Sequence, residues 1–231
     1  MGAGTLTSDS SGGHRPPLQN IESVDFRPLA TRLGPSLLRR RLHAQANLRA
    51  RLVHQGEGPL VVERVVPVDR LITRILAASG FAARGRANCL DIRTVTREQP
   101  LTNLPSAFDG FRLLQISDIH LDCVAGLAER LVELVAKTPH DLAVITGDFA
   151  DHAAGYFHDC LDDIRHLGRV LGPGALAILG NHDIIEIVPH LETAGLRVLL
   201  NENTAIERDG QQLWFAGIDD PHFYRTHDFE A

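Results

Sequence analysis

The sequence predicts an α/β fold built on a parallel sheet after about residue 87, on three observations. The runs "FRLLQIS", "DLAVITG" and "ALAILG" are short and continuously apolar, as in strands covered on both faces. Helix-patterned stretches, residues 125–137 and 157–170, separate them. Strand, helix, strand, helix, strand is the order that right-handed parallel crossovers produce.

Taken in order, residues 1–20 are rich in Gly, Ser and Pro and read as a disordered tail. Residues 21–86 read as a basic helical extension. In it Ser36 is expected to cap a helix running to about Val53, with Leu38, Leu42, Leu48 and Leu52 on one side. Arg39, Arg40, Arg41, Arg49 and Arg51 then form its basic surface. A second amphipathic helix starts near Asp69 and ends at Gly80, with Leu71, Ile72, Ile75, Leu76 and Phe81 as its apolar stripe. Two readings of these helices stand: packing on the main domain or against each other with the arginines solvated, or attachment to an anionic membrane surface. Residues 87–231 read as the main α/β domain. "CLDIRTVTRE" alternates like a half-exposed strand, "DIIEIVPHLETAG" reads as a helix bent at Pro189, and "LRVLLNEN", "TAIERDG" and "QQLWFAGIDD" read as further strands with a turn at Gly210.

Composition bounds the possibilities. A hydrophobic fraction of 44% over 231 residues supports a real core. The net charge of −6 is divided unevenly: residues 1–86 carry 13 Arg against 6 acids, and residues 87–231 carry 10 Lys and Arg against 23 acids. An acidic body with a basic arm would repel nucleic-acid phosphates except where cations sit, and no aromatic platform interleaves the arginines. Cys89, Cys123 and Cys160 are odd in number and lack CxxC spacing, which suits free thiols in a reducing compartment. Neither a secretory signal pattern nor a run of ~18 apolar residues is visible. The expected location is cytoplasmic, with peripheral contact at the inner membrane surface left open.

The strand ends carry the chemistry. The first runs into Asp118-Ile-His120, the second into Gly147-Asp148 and Asp151, the third into Gly180-Asn181-His182-Asp183. Ligands of open α/β sheets gather outside the carboxyl ends of strands, so these side chains are expected on one rim. Oxygen and imidazole donors without thiolate suit Mn, Fe, Zn, Co or Mg-like cations. Two cations ~3.5–4 Å apart would clamp an in-line displacement at phosphorus, and Asp148, from the middle strand, is the natural shared carboxylate. His182 would stabilise the transition state or protonate the leaving oxygen, with Asp183 as its orienting partner. Gly147 and Gly180 are expected to keep bulk away from the ion or phosphate. Singly, Asp118, Asp148 and Asn181 read as helix caps. Asp122 and Asp151 are either caps or supports of the site, Asp219, Asp220 and His222 a solvated turn, and Cys123 a small buried hydrophobe.

D-x-H, GD-x-x-D and GNHD in this order resemble the calcineurin-like metallophosphoesterase superfamily, from about Asn88 to Phe223. "LDIRTVTREQPLTNLPSAFDGFRLLQISDIHLD" and "FAGIDDPHF" are similar to its bacterial, often membrane-associated subfamily, some of whose members cleave lipid-linked or nucleotide-sugar pyrophosphates. The resemblance implies a sandwich of two sheets flanked by helices. It further implies two divalent metal ions, with Asp118, His120 and Asp148 at one, Asp148 and Asn181 at the other, and His182 catalytic. The substrate would be a phosphate mono- or diester or a pyrophosphate. Family members carry a further His and a G-H-x-H motif, and no G-H-x-H occurs in residues 1–231. The chain is therefore expected to be a fragment, with the second sheet incomplete, "QQLWFAGI" as an open edge and activity reduced. His222 and His227 are weak stand-ins for the missing imidazoles. Two rival functions remain: a catalytically impaired binding module, and a nuclease supported only by the basic arm.

Overall fold

A computed structural model describes residues 24–54, 68–151 and 157–230, so the expected 1–20 tail lies outside the described residues. Helices α1 (Arg27–Leu33) and α2 (Pro35–His54) come first, followed by α3 (Val68–Ala78) and α4 (Phe81–Leu90). α2 starts at Pro35, whose fixed φ suits a first turn, so Ser36 lies inside the helix instead of capping it. α4 extends through Cys89 and Leu90, and residues 91–100 have no regular structure. The expected "CLDIRTVTRE" strand is thus absent. Alternation alone supplies no pairing partner, and Val95 is left 72% exposed.

Strands β1 (Leu113–Ile116), β2 (Leu142–Thr146), β3 (Leu176–Ile178) and β4 (Arg197–Val198) pair in parallel in the order β1-β2-β3-β4. A sequential order puts every right-handed crossover on the same face. α5 (Leu127–Lys137), α6 (Leu161–Leu171) and α7 (Val188–Thr193) make that layer, α5 against α6 and α6 against α7. A 3-10 turn, Ile185–Ile187, leads into α7, and Pro189 sits in its first turn. Pro189 therefore starts the helix where a bend was expected, because a first turn does not need its missing N–H.

The opposite face takes an antiparallel hairpin, β5 (Glu202–Arg208) and β6 (Gln211–Gly217). Asp209 and Gly210 both have positive φ, 51° and 72°, as a tight hairpin turn requires. Period-two alternation then sorts the side chains between layers. Ala143, Ile145, Ala177 and Val198 join the helix-side core, whereas Leu142, Val144, Leu176, Ile178 and Leu199 pack with Ile206 and Phe215 of the hairpin. The result is the α/β sandwich expected, with a second sheet of two strands. β1 departs from expectation: Leu113 is 49% exposed, because its outer face is not covered as those of β2 and β3 are. Trp214 of β6 is likewise exposed.

The first two helices pack onto the main core. Leu29 of α1 and Leu38 of α2 belong to the main core, each burial contributing about 2 kcal/mol. Arg32 of α1 donates through Nε and Nη2 to Glu202, at 2.9 and 2.7 Å, and through Nη1 to Glu192 at 2.6 Å. Arg41 of α2 is fully buried, against the expectation of a solvated arginine. α3 behaves differently: Ile72, Ile75, Leu76 and, at the start of α4, Phe81 face solvent.

Candidate metal centre

The loops following β1, β2 and β3 are stitched to one another by backbone hydrogen bonds. Beyond the last strand pair, Asp118 N donates to Gly147 O at 3.2 Å, His120 N to Asp148 O at 2.9 Å and Leu121 N to Phe149 O at 3.0 Å. Asp183 ties in the third loop. Its carboxylate accepts the N–H groups of Asp148 at 2.7 Å, Phe149 at 2.8 Å and Gly180 at 2.9 Å. Burial pushes its carboxyl up to about 6, against the downward pull of those three bonds. Asp183 therefore holds backbone; the orienting contact to His182 expected of it is made elsewhere, since His182 Nδ1 lies 2.5 Å from Asp151 O.

Gly147 and Gly180 matter for backbone approach more than for space around an ion. A Cβ on Gly147 would lie 2.3 Å from Gly180 N, and one on Gly180 would lie 2.1 Å from Asp148 Oδ1 and 2.6 Å from Asp148 N. The two loops touch where any side chain would separate them.

Asp118, His120 and Asp148 all adopt left-handed backbone, with φ of 52°, 36° and 58°. Such strain in non-glycine residues clusters at functional sites. The ligand atoms of Asp118, His120 and Asp148 lie within 4.8 Å of one another, and so do those of His120, Asp151 and His182. His120 Nε2 is 3.9 Å from Asp148 Oδ2, and His120 Nδ1 is 3.7 Å from Asp151 Oδ1. His120 Nδ1 is buried without a hydrogen-bond partner. A buried imidazole nitrogen that bonds to no protein group, set among carboxylates, is a donor set that fits a divalent metal. Asp148 is buried, His120 and His182 are half-buried, and Asp118 and Asn181 are exposed at the rim. The His120 and His182 rings stand edge to face, 5.0 Å between centroids.

Sequence reasoning undervalues Asp151, which the fold brings to both imidazoles, while Asp122 accepts the Asp151 N–H at 2.7 Å and so supports that loop. The D-x-x-D spacing is the signal that points to it. Asp219 is fully buried beside Arg41 instead of solvated, and Asp220 Oδ1 accepts Tyr224 N at 2.8 Å. Cys123, expected to be buried, is exposed; Cys89, Cys123 and Cys160 are all free thiols.

Residues 111–227 match the family model described as calcineurin-like phosphoesterase. A zebrafish "transmembrane protein with metallophosphoesterase domain" is 28% identical over 160 residues, 65% of this chain and 35% of that protein. The Bacillus subtilis "uncharacterized metallophosphoesterase YkoQ" is 30% identical over 161 residues, 63% of this chain and 57% of its own length. Another from that bacterium, "uncharacterized metallophosphoesterase YkuE", is 32% identical over 127 residues, covering 51% and 44%. The chain thus spans between about a third and three fifths of the length of these curated relatives. The matched segment opens just before β1 and takes in all three loops where the acids and imidazoles meet, and on that ground the chain belongs to the calcineurin-like phosphoesterase family, whose chemistry is hydrolysis of phosphoric esters.

Proposed function

We propose that this chain carries the site of a metal-dependent phosphoester hydrolase, with Asp118, His120 and Asp148 holding one divalent cation and Asp148 with Asn181 holding a second. The observation that supports it most is the grouping of the Asp118, His120 and Asp148 ligand atoms within 4.8 Å of one another, with His120 Nε2 facing Asp148 Oδ2. When bound, such cations polarise phosphoryl oxygens and make a water nucleophile available near neutral pH. The residues themselves do the positioning. Asp148 spans the site: Oδ1 accepts His182 N at 2.9 Å while Oδ2 faces His120. His182 donates from Nδ1 to the Asp151 carbonyl, which orients the ring and leaves Nε2 to carry a proton to the leaving oxygen. Asn181, exposed beside it, offers an amide to a phosphoryl oxygen. The substrate class is a phosphate mono- or diester or a pyrophosphate, lipid-linked forms included. Manganese should switch on hydrolysis of bis-p-nitrophenyl phosphate by the full chain, and chelation should switch it off. Silence with Mn, Fe, Zn and Co alike would leave only the binding-module reading. The nuclease reading keeps only the basic arm as its support, and two arginines of that arm, Arg32 and Arg41, are engaged with protein carboxylates.

Peripheral attachment to the inner membrane surface through α3 is a second element of the reading. Its stripe of Ile72, Ile75 and Leu76 is exposed, and Arg74, Arg84 and Arg86 are exposed alongside. No described helix is long and apolar enough to cross a membrane. Replacing Ile72 and Ile75 together by Gln should cut pelleting with anionic vesicles roughly tenfold. Unchanged pelleting would rule α3 out as the anchor.

A further inference from the structure

α2 offers three consecutive arginines, and one of them turns inward. Arg41 is 0% exposed, and its Nη1 pairs at 2.9 Å with Asp219, whose side chain is equally buried. Nε donates to Gln45 Oε1 at 2.9 Å, Nη2 donates to the carbonyl oxygen of Asp183 at 2.7 Å, and the guanidinium lies 3.5 Å over the Tyr224 ring. Gln45, 2% exposed, accepts Ile185 N at 2.8 Å and donates through Nε2 to Glu186 Oε2 at 2.8 Å. Helix α2 thereby grips the main chain of Asp183 and Ile185, directly after Asn181 and His182.

The structure assigns to Arg41, seconded by Gln45, the role of positioning residue for the loop that carries Asn181 and His182. Arg41 fixes the Asp183 carbonyl, and the same residue's carboxylate fixes the N–H groups of Asp148, Phe149 and Gly180. One residue thus links α2 to both the β2 and β3 loops. Only a planar guanidinium can serve Gln45, Asp219 and the Asp183 carbonyl in three directions at once; an ammonium supplies the charge but not the fork. Asp219 is itself braced, Oδ2 accepting Thr226 Oγ1 at 2.6 Å and its N–H donating to Asn201 Oδ1 at 3.0 Å, so the anchor is rigid at both ends. The basic arm of the sequence is therefore part of the site's scaffold. The positioning role stands on geometry; only its consequence for cation affinity rests on the metal reading above.

Amide hydrogen exchange on the full chain without added cation separates positioning from general stability. In Arg41→Lys, the amides of Asp148, Phe149, Gly180 and Ile185 should exchange roughly tenfold faster, while those of Val144 and Ile145 within β2 stay within about twofold of wild type. Arg40→Lys is the control, since among the described residues the Arg40 side chain donates to the carbonyl of the exposed Arg225 and to none of the site's loops. Manganese affinity of Arg41→Lys should fall by a similar factor. If Arg41→Lys does not fold, Gln45→Met, which keeps the length but loses the amide, should speed the same loop amides, Ile185 foremost. Exchange that rises equally at loop and strand amides, or at none, overturns the assignment. Localised acceleration in Arg41→Lys, together with a wild-type chain that binds no manganese, would uphold it and sink the metal reading instead.

Discussion

Asp148→Asn should lower manganese-dependent hydrolysis by about a thousandfold, close to 4 kcal/mol of transition-state stabilisation, while leaving the fold intact. The variant is chosen because it changes charge with almost no change of shape. Asp148 Oδ1 accepts the His182 N–H at 2.9 Å, and the amide oxygen of Asn can keep that bond. The Asp148 N–H donates to Asp183 at 2.7 Å from the backbone, which the substitution does not touch. What is lost is the negative charge that faces His120 and would be shared between two cations. Circular dichroism and melting temperature should match wild type within error, and kcat should fall far more than KM changes. A near-normal kcat would remove Asp148 from the chemistry.

Gly180→Ala should be nearly as damaging, through the backbone. Its Cβ would sit 2.6 Å from Asp148 N, a main-chain atom locked by Asp183, so the loops must part. Overpacking of this kind costs about 1–3 kcal/mol, a drop of roughly 2–12 °C in melting temperature for a chain of this size. Because Asp148 moves with it, manganese binding should weaken as well. Gly85 supplies the contrast: it lies in α4 with nothing within 4 Å of a built Cβ, and Gly85→Ala should stabilise by about 0.5–1 kcal/mol. Thermal scans of the two variants side by side check both signs. Equal, small effects would mean that the approach of the two loops is not tight.

The parallel strands and their order are legible in the sequence because a short, continuously apolar run that ends in a polar cluster suits a doubly covered strand and little else. Ile145 and Leu142, on opposite faces of β2, show why both faces have to be apolar. The loop residues Asp118, His120, Asp148, Asn181 and His182 are legible for the same reason, as polar residues at strand ends. Asp183 is not. Adjacency to His182 in sequence suggests contact, whereas the turns of this loop system send its carboxylate to the backbone of Asp148 and Phe149. Arg41 is invisible: nothing in "LLRRRLH" distinguishes a buried arginine from its solvated neighbours, and only the position of Asp219, 178 residues away, decides which one turns inward. "CLDIRTVTRE" fails as a strand because alternation describes a strand's faces and says nothing about whether a neighbour exists to pair with.

Three loops converging on a pair of cations held in common by one aspartate is the arrangement on which the proposed chemistry depends. Calorimetric titration of the full chain with manganese probes it without any substrate. Two ions should bind per wild-type chain, and Asp148→Asn should lose at least one of them. A single ion bound equally well by both proteins would contradict it.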